Sequence, residues 1–321
     1  MKYVGIHTQQ ARNNFRSLLL LCLFPCLIIL LTFVFTVLFM YYIQDDPELM
    51  EVLELSLPLC FAIAPFVLGA VAIWFVIAYF ANTSIIRSAT GARSLARREN
   101  KRVYNLVENL CMSQGMSTPK INIIEDDSLN AFASGINNST YTVSLSRGII
   151  EKLDDNELGG VIAHELSHIR NRDVRLLVIS IVFVGIFAMI TQIIFRVLLG
   201  SSGRSRSSKN GNGGLVILLI ALIVAAVGYF FAIMMRFAIS RKREYMADAG
   251  AAEMTRKPQA LASALRKISE DPNIEAVKRS DISQLFIENP GGKTEKRSAG
   301  IAGLFATHPP IDERIDILEQ F

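Results

Sequence analysis

The sequence predicts a membrane α-helical chain of about four transmembrane helices that carries a water-facing α+β domain. Three observations lead there. Of 321 residues, 51% are hydrophobic and 19% charged, against about a quarter charged in an ordinary soluble domain, and the mean hydropathy is +0.36. The apolar residues collect in four blocks free of charged side chains: Ser17 to Gln44, Leu55 to Ile86, Leu176 to Phe195 and Asn210 to Met235. Each is long enough for the roughly 20 residues that cross a hydrocarbon core. The stretches between them are charged and carry helix and strand periodicity, as water-facing structure does. Together these exclude an intrinsically disordered chain, a disulfide-rich secreted domain and a freely soluble enzyme.

The first block has no polar stripe, so it does not read as a buried core helix. It also exceeds the apolar region of a signal peptide, and no small-residue cleavage site precedes the acidic stretch after it. It is expected to stay as an anchor. Lys2, Arg12 and Arg16 precede it without an acid, whereas Asp45, Asp46, Glu48, Glu51 and Glu54 separate it from the second block without a base. Basic residues return after the second block, from Arg87 to Arg102. By the positive-inside rule the N-terminus and everything after Arg87 face the cytoplasm. The third and fourth blocks are joined by a Gly/Ser/Arg-rich segment, Gly200 to Gly214, read as a flexible loop. Its bases, Arg204, Arg206 and Lys209, run against the rule if the loop is exported. Two spans remain the expectation, because Leu215 to Met235 is a strong segment and inner-side charge weighs most on the first helix. The chain is thus expected to be a multi-pass protein of the cell (inner) membrane.

The net charge of +4 is mostly next to the membrane, which fits contact with the lipid bilayer and no nucleic acid. Cys22, Cys26 and Cys60 lie within apolar blocks and Cys111 in the water-facing part, leaving neither a disulfide framework nor a paired metal motif. In that part Arg97 to Gln114 has apolar residues at helical spacing. Ile121 to Ile124 and Tyr141 to Leu145 are strand candidates. Ala131 to Ser134 is a third, turning through Gly135-Ile136-Asn137-Asn138 into a hairpin. A helix then starts at Asp154, where Glu157 three residues on completes a capping box, and runs to about Arg170.

That helix carries His164-Glu165-Leu166-Ser167-His168. Two histidines four apart lie about 40° apart around the axis and about 6 Å along it, so both rings can reach one tetrahedral ion. Glu165 projects beside them, where it can accept a proton from a water activated by that ion. The apolar run Leu158 to Ala163 would bury the site. A catalytic zinc wants a third protein ligand, and Glu244, just after the fourth block, offers one. Asp248, one turn later, can hold a ligand histidine in the right tautomer. The water-facing domain is therefore expected to be zincin-like, with HExxH and a glutamate as third ligand. Domain organisation follows: residues 1–82 as a two-helix membrane anchor, 83–175 as the first half of the catalytic domain, 176–239 as a second membrane pair, and 240–321 as the second half.

From Asn130 onward the chain resembles the integral-membrane zinc metallopeptidases of the HtpX type, in peptidase family M48, which also includes the Ste24 prenyl-protein proteases. The resemblance lies in the order and spacing of Asn130-Ala131-Phe132-Ala133, the HELSH helix, two apolar blocks, Ser240 to Asp248, then Thr307-His308-Pro309-Pro310 and Arg314. It implies one Zn2+ per subunit on His164, His168 and Glu244, with Glu165 as general base and Asp248 in support. It further implies His308 as an oxyanion donor near the cleft and Arg314 as a residue holding that segment. The first two apolar blocks are unusually long for the family, with a distinctly acidic loop.

Three functions are compatible. A zinc endopeptidase would cut membrane or misfolded proteins on the cytoplasmic side, as the resemblance implies for quality control. A Ste24-like processing protease would act on prenylated proteins. A non-catalytic zinc-binding scaffold would have no need of Glu165. Protein or peptide substrates would present an extended backbone, and Asn130 to Ala133 is the candidate edge for pairing with it. Asp271 to Phe305 can be read as a cover over the cleft or as a plain surface loop. No nucleotide-binding loop is visible, so energy-coupled proteolysis would need membrane quality-control partner proteins.

Overall fold

The computed structural model describes residues 6–44, 48–202, 212–237, 242–270, 287 and 309–321. The chain divides into two compact units, one of Met1–Ser17, Phe80–Ile179 and Ile239–Phe321, the other of Leu18–Tyr79 and Ser180–Ala238.

The second unit is built from most of the helices α1 (Ile6–Ile43), α2 (Leu49–Thr90) and α6 (Asp173–Ser202), whose residues 6–17, 80–90 and 173–179 belong to the first unit, and from α7 (Asn212–Phe237). By length and composition all four can cross a membrane. A helix satisfies every backbone donor and acceptor within the segment, which hydrocarbon demands. Side chains such as Phe61 and Phe66 are 75% and 80% exposed, which is where lipid contact is needed. Inside the unit Phe24 stacks on Phe183, ring centroids 4.0 Å apart, and meets Phe187 edge-on. Helical structure reaches Ser202 and resumes at Asn212, so both ends of the expected Gly200–Gly214 loop are helical. The rest of it lies outside the described residues.

The first unit holds a four-stranded sheet of β1 (Arg93–Ser94), β2 (Lys120–Ile124), β3 (Ala131–Ser134) and β4 (Thr142–Ser146), in the order β1-β2-β4-β3. β2 and β4 are parallel, with Ile121 opposite Val143, while the other pairs are antiparallel. Against the sheet pack α4 (Arg147–Lys152) and α5 (Asp155–Arg170); α3 (Lys101–Ser113), α8 (Lys242–Thr255) and α9 (Pro258–Glu270) pack on α5, and α10 (Ile311–Glu319) on α8 and α9. The core is formed by residues such as Phe132, Leu145, Leu158, Ile162 and Leu166, all fully buried.

β3 and β4 form the expected hairpin. Gly135 at its turn has φ +111, and a Cβ there would come within 2.5 Å of the Thr140 carbonyl oxygen, so only glycine fits. Helix α3 starts later than its apolar spacing suggests. Asn100 is extended and accepts the Val103 N–H, making it the N-cap. Arg97 lies before the helix and reaches forward to Glu108 at 2.7 Å. The two-residue β1 and the six-residue α4 are too short to leave a periodic signal.

Candidate metal centre

The site is built on α5. Asp154 caps it: its side chain accepts the N–H groups of Asn156 and Glu157, and the Glu157 side chain accepts the Asp154 N–H. Glu157 also takes Ser263 and Lys267 of α9, each at 2.7 Å. This clasp and the burial of Leu158, Val161 and Ile162 against the core fix how the helix is rotated. The rotation in turn points His164, Glu165 and His168 inward.

Helix α8 crosses α5 closely. A Cβ on Gly250 would fall 2.6 Å from the Ser167 hydroxyl oxygen, and this approach brings Glu244 and Asp248 over the histidines. His164 and His168 face each other through their Nε2 atoms at 3.2 Å, their rings nearly perpendicular. Glu244 carboxylate oxygens lie 3.6 Å from the first Nε2 and 3.7 Å from the second. The three potential ligand atoms all fall within 4.8 Å of one another.

The opposite side of each ring meets a carboxylate. His164 Nδ1 stands 2.9 Å from Asp248 Oδ1, and His168 Nδ1 stands 3.2 Å from Asp173 Oδ2. These carboxylates favour the proton on Nδ1, so that an ion bound at the centre would meet both Nε2 lone pairs. Two lone pairs and a carboxylate then converge in a buried pocket, an arrangement that calls for a positive charge at its centre. The residues present therefore fit a metal ion, and two imidazoles with one carboxylate are a donor set for a borderline cation.

Electrostatics agree. Burial disfavours a charged His168, yet Glu244 and Asp173 overcome it and raise its pKa to about 10. For His164 burial acts the same way, and Asp248 with Glu244 again prevails to raise the pKa. Glu165 is 2% exposed, and burial raises its proton affinity, offset in part by the nearby histidines. A carboxyl shifted upward is suited to accepting a proton and passing it on.

Asp248 is held by Arg314, which has no exposed surface and donates two hydrogen bonds to it, at 2.9 and 2.8 Å. Arg314 also donates to the Ile287 carbonyl at 3.3 Å. The Asn130–Ala133 stretch places β3 at the sheet edge. Asn130 is buried, its side chain accepting the Ala131 N–H, and Phe132 is buried too. On the outer edge the Ala133 N–H approaches Glu165 and lowers its proton affinity, and the Ala131 carbonyl accepts the Ile287 N–H at 2.9 Å. The edge strand thus runs beside the buried carboxyl. His308 lies outside the described residues, as does most of Asp271–Phe305. Sequence reasoning missed Asp173, though an acid one turn beyond a candidate ligand is a usable signal. It also missed the backbone contact of Ala133, for which the sequence holds none.

The profile of Peptidase family M48 matches residues 97–321. The chain is 65% identical to the Protease HtpX homolog of Bacteroides fragilis over 323 residues, covering 100% of both. It is 41% identical to the Protease HtpX homolog of Dictyoglomus turgidum over 240 residues, 74% of this chain and 75% of that one. The crystal structure of S. mikatae Ste24p overlaps with a TM-score of 0.47 at 17% identity, covering 79% of this chain and 58% of that one.

Proposed function

The chain belongs to peptidase family M48 and is a membrane metalloprotease; from that premise we propose that it is a zinc endopeptidase cutting membrane or misfolded proteins on the cytoplasmic side of the inner membrane. The observation that carries this reading is the convergence of His164, His168 and Glu244, with Glu165 buried beside them. Zinc is favoured because two imidazoles and one carboxylate leave a tetrahedral position open for water, the pattern of a catalytic site. The distribution of basic residues around the first two apolar blocks supports the cytoplasmic side. The quality-control role is what the resemblance to the HtpX-type peptidases implies.

When bound, the ion would supply the Lewis acidity that activates a water and polarises the scissile carbonyl. His164, His168 and Glu244 would hold it, with Asp248 steadying His164 and Arg314 steadying Asp248. Glu165 takes the proton of the attacking water on its carboxylate and returns it to the leaving amine. The substrate backbone pairs along the outer edge of β3, where it competes with Ile287 for the Ala131 carbonyl. His308 is assigned as the donor to the developing oxyanion on resemblance to the family.

The test is a metal assay and a cleavage assay on the same full-length variants. Glu165→Gln should keep one zinc per chain and lose cleavage of an unfolded model substrate by at least about 100-fold. Glu244→Ala should lose the zinc. Cleavage unchanged in Glu165→Gln would leave only a zinc-binding scaffold, and full zinc in Glu244→Ala would remove it as a ligand.

A further inference from the structure

We propose that Asp173 positions His168 for the ion and is itself held by Asn13, so that the start of α1 contributes to the metal affinity of the site. The inference rests on the reading of His168 as a ligand. It extends that reading to two residues that lie outside the HELSH and Glu244 motifs.

A ligand histidine bound through Nε2 needs its Nδ1 proton aimed at an acceptor, or the ring rotates away from the ion. Beside His164 Nδ1, at 2.9 Å, stands Asp248, clamped by Arg314. For His168 the acceptor is Asp173 Oδ2 at 3.2 Å. Asp173 is 1% exposed and forms no ion pair with a lysine or arginine among the described residues; its partner in charge is the His168 ring. A buried carboxylate with so little compensation needs its other oxygen satisfied. Asn13 supplies that: its Nδ2 donates to Asp173 Oδ1 at 2.6 Å and to the Asn171 carbonyl at 2.9 Å. Both are pure acceptors, so a flipped amide would set oxygen against two oxygens. Chemistry therefore fixes the orientation of the side chain. Asn13 is itself fully buried.

The backbone is bent to make this contact. α5 ends at Arg170 and α6 begins at Asp173, and between them Arg172 has φ 61. A residue with a side chain adopts that left-handed conformation only where the surrounding structure holds it there. The short connection leaves Asp173 at the first position of α6, with its Oδ2 3.2 Å from His168 Nδ1. Asn13 then spans the connection, bonding to the residue on each side of Arg172. Asn13 and Asp173 are 160 positions apart, so no local preference of the chain brings them together.

The experiment uses the full-length chain in detergent, stripped of metal, with Zn2+ affinity read by competition against a chromophoric chelator and expressed per folded molecule. Asp173→Ala should weaken Zn2+ binding by about 10–100-fold, the usual effect of losing the group that orients a ligand histidine. Asn13→Ala should weaken it by a smaller factor. Because Asn13 acts through Asp173, the double variant should bind no more weakly than Asp173→Ala alone. The visible spectrum of the Co2+-loaded protein should shift in both Asp173 variants, which a loss of general stability would not cause. If Asp173→Ala does not fold, the isosteric Asp173→Asn decides on the same two readouts. Zn2+ affinity within twofold of the parent in the Asp173 variants, with an unchanged Co2+ spectrum, overturns the proposal. So does an Asn13→Ala effect that adds in full to that of Asp173→Ala. A parent chain that takes up no Zn2+ overturns the ligand reading as well, which separates the two failures.

Discussion

Arg314 shows how much of the site depends on one buried charge. It has no exposed surface and grips Asp248 with two parallel hydrogen bonds, and the guanidinium holds that carboxyl below its ordinary range against the opposing effect of burial. Removing one partner of such a pair strands the other charge, at a cost of about 3–5 kcal/mol. Arg314→Met should therefore lower stability by about that amount in denaturant unfolding. Arg314→Lys should recover little of it, because an ammonium cannot reproduce the fork geometry. Equal stability of all three proteins would show that the pair is dispensable. Cys111 is the contrary case. Its thiol is fully buried and pushed up to about 11 by that burial, so it is chemically quiet and a poor reporter of accessibility.

At the scale of elements, α5 matters most because its rotation and its start decide where the histidines point. The capping box anchors the first turn and Lys267 closes the clasp through Glu157. Asp154→Ala should cost about 1 kcal/mol, seen as a fall in thermal midpoint of about 2–4 °C for a unit of this size. The pH dependence follows from the Asp154 pKa, which the Glu157 N–H, together with the Asn156 N–H, holds below the usual aspartate range. A depressed carboxyl contributes stability above its unfolded pKa and loses it as pH falls through the folded one. The difference between parent and variant should thus be full at neutral pH and vanish in acid. The start and end of α5 were legible in the sequence because a cap is a local chemical pattern. The start of α3 was less so: its apolar spacing extends back to Arg97, and only the geometry of Asn100 shows where the helix begins.

At the scale of the whole molecule, the proposed topology makes its own prediction. In a chain whose native cysteines are replaced, Ser205→Cys should react with a membrane-impermeant maleimide in intact cells. Met112→Cys, on a side chain position that is 70% exposed, should react only after permeabilisation. Met112 serves better than native Cys111, which is buried. The reverse pattern would place the catalytic unit outside. The sequence by itself determined the four long apolar helices, since hydrocarbon leaves a chain no other local solution, and the pair of histidines on one helical face, since four residues fix their separation. Only the tertiary structure decided the parallel pairing of β2 with β4 and the approach of the Ala133 N–H to Glu165. It likewise decided that Asn13 and Asp173 meet. Such contacts join groups far apart along the chain, and their energy exists only once packing has brought those groups together and removed the water between them.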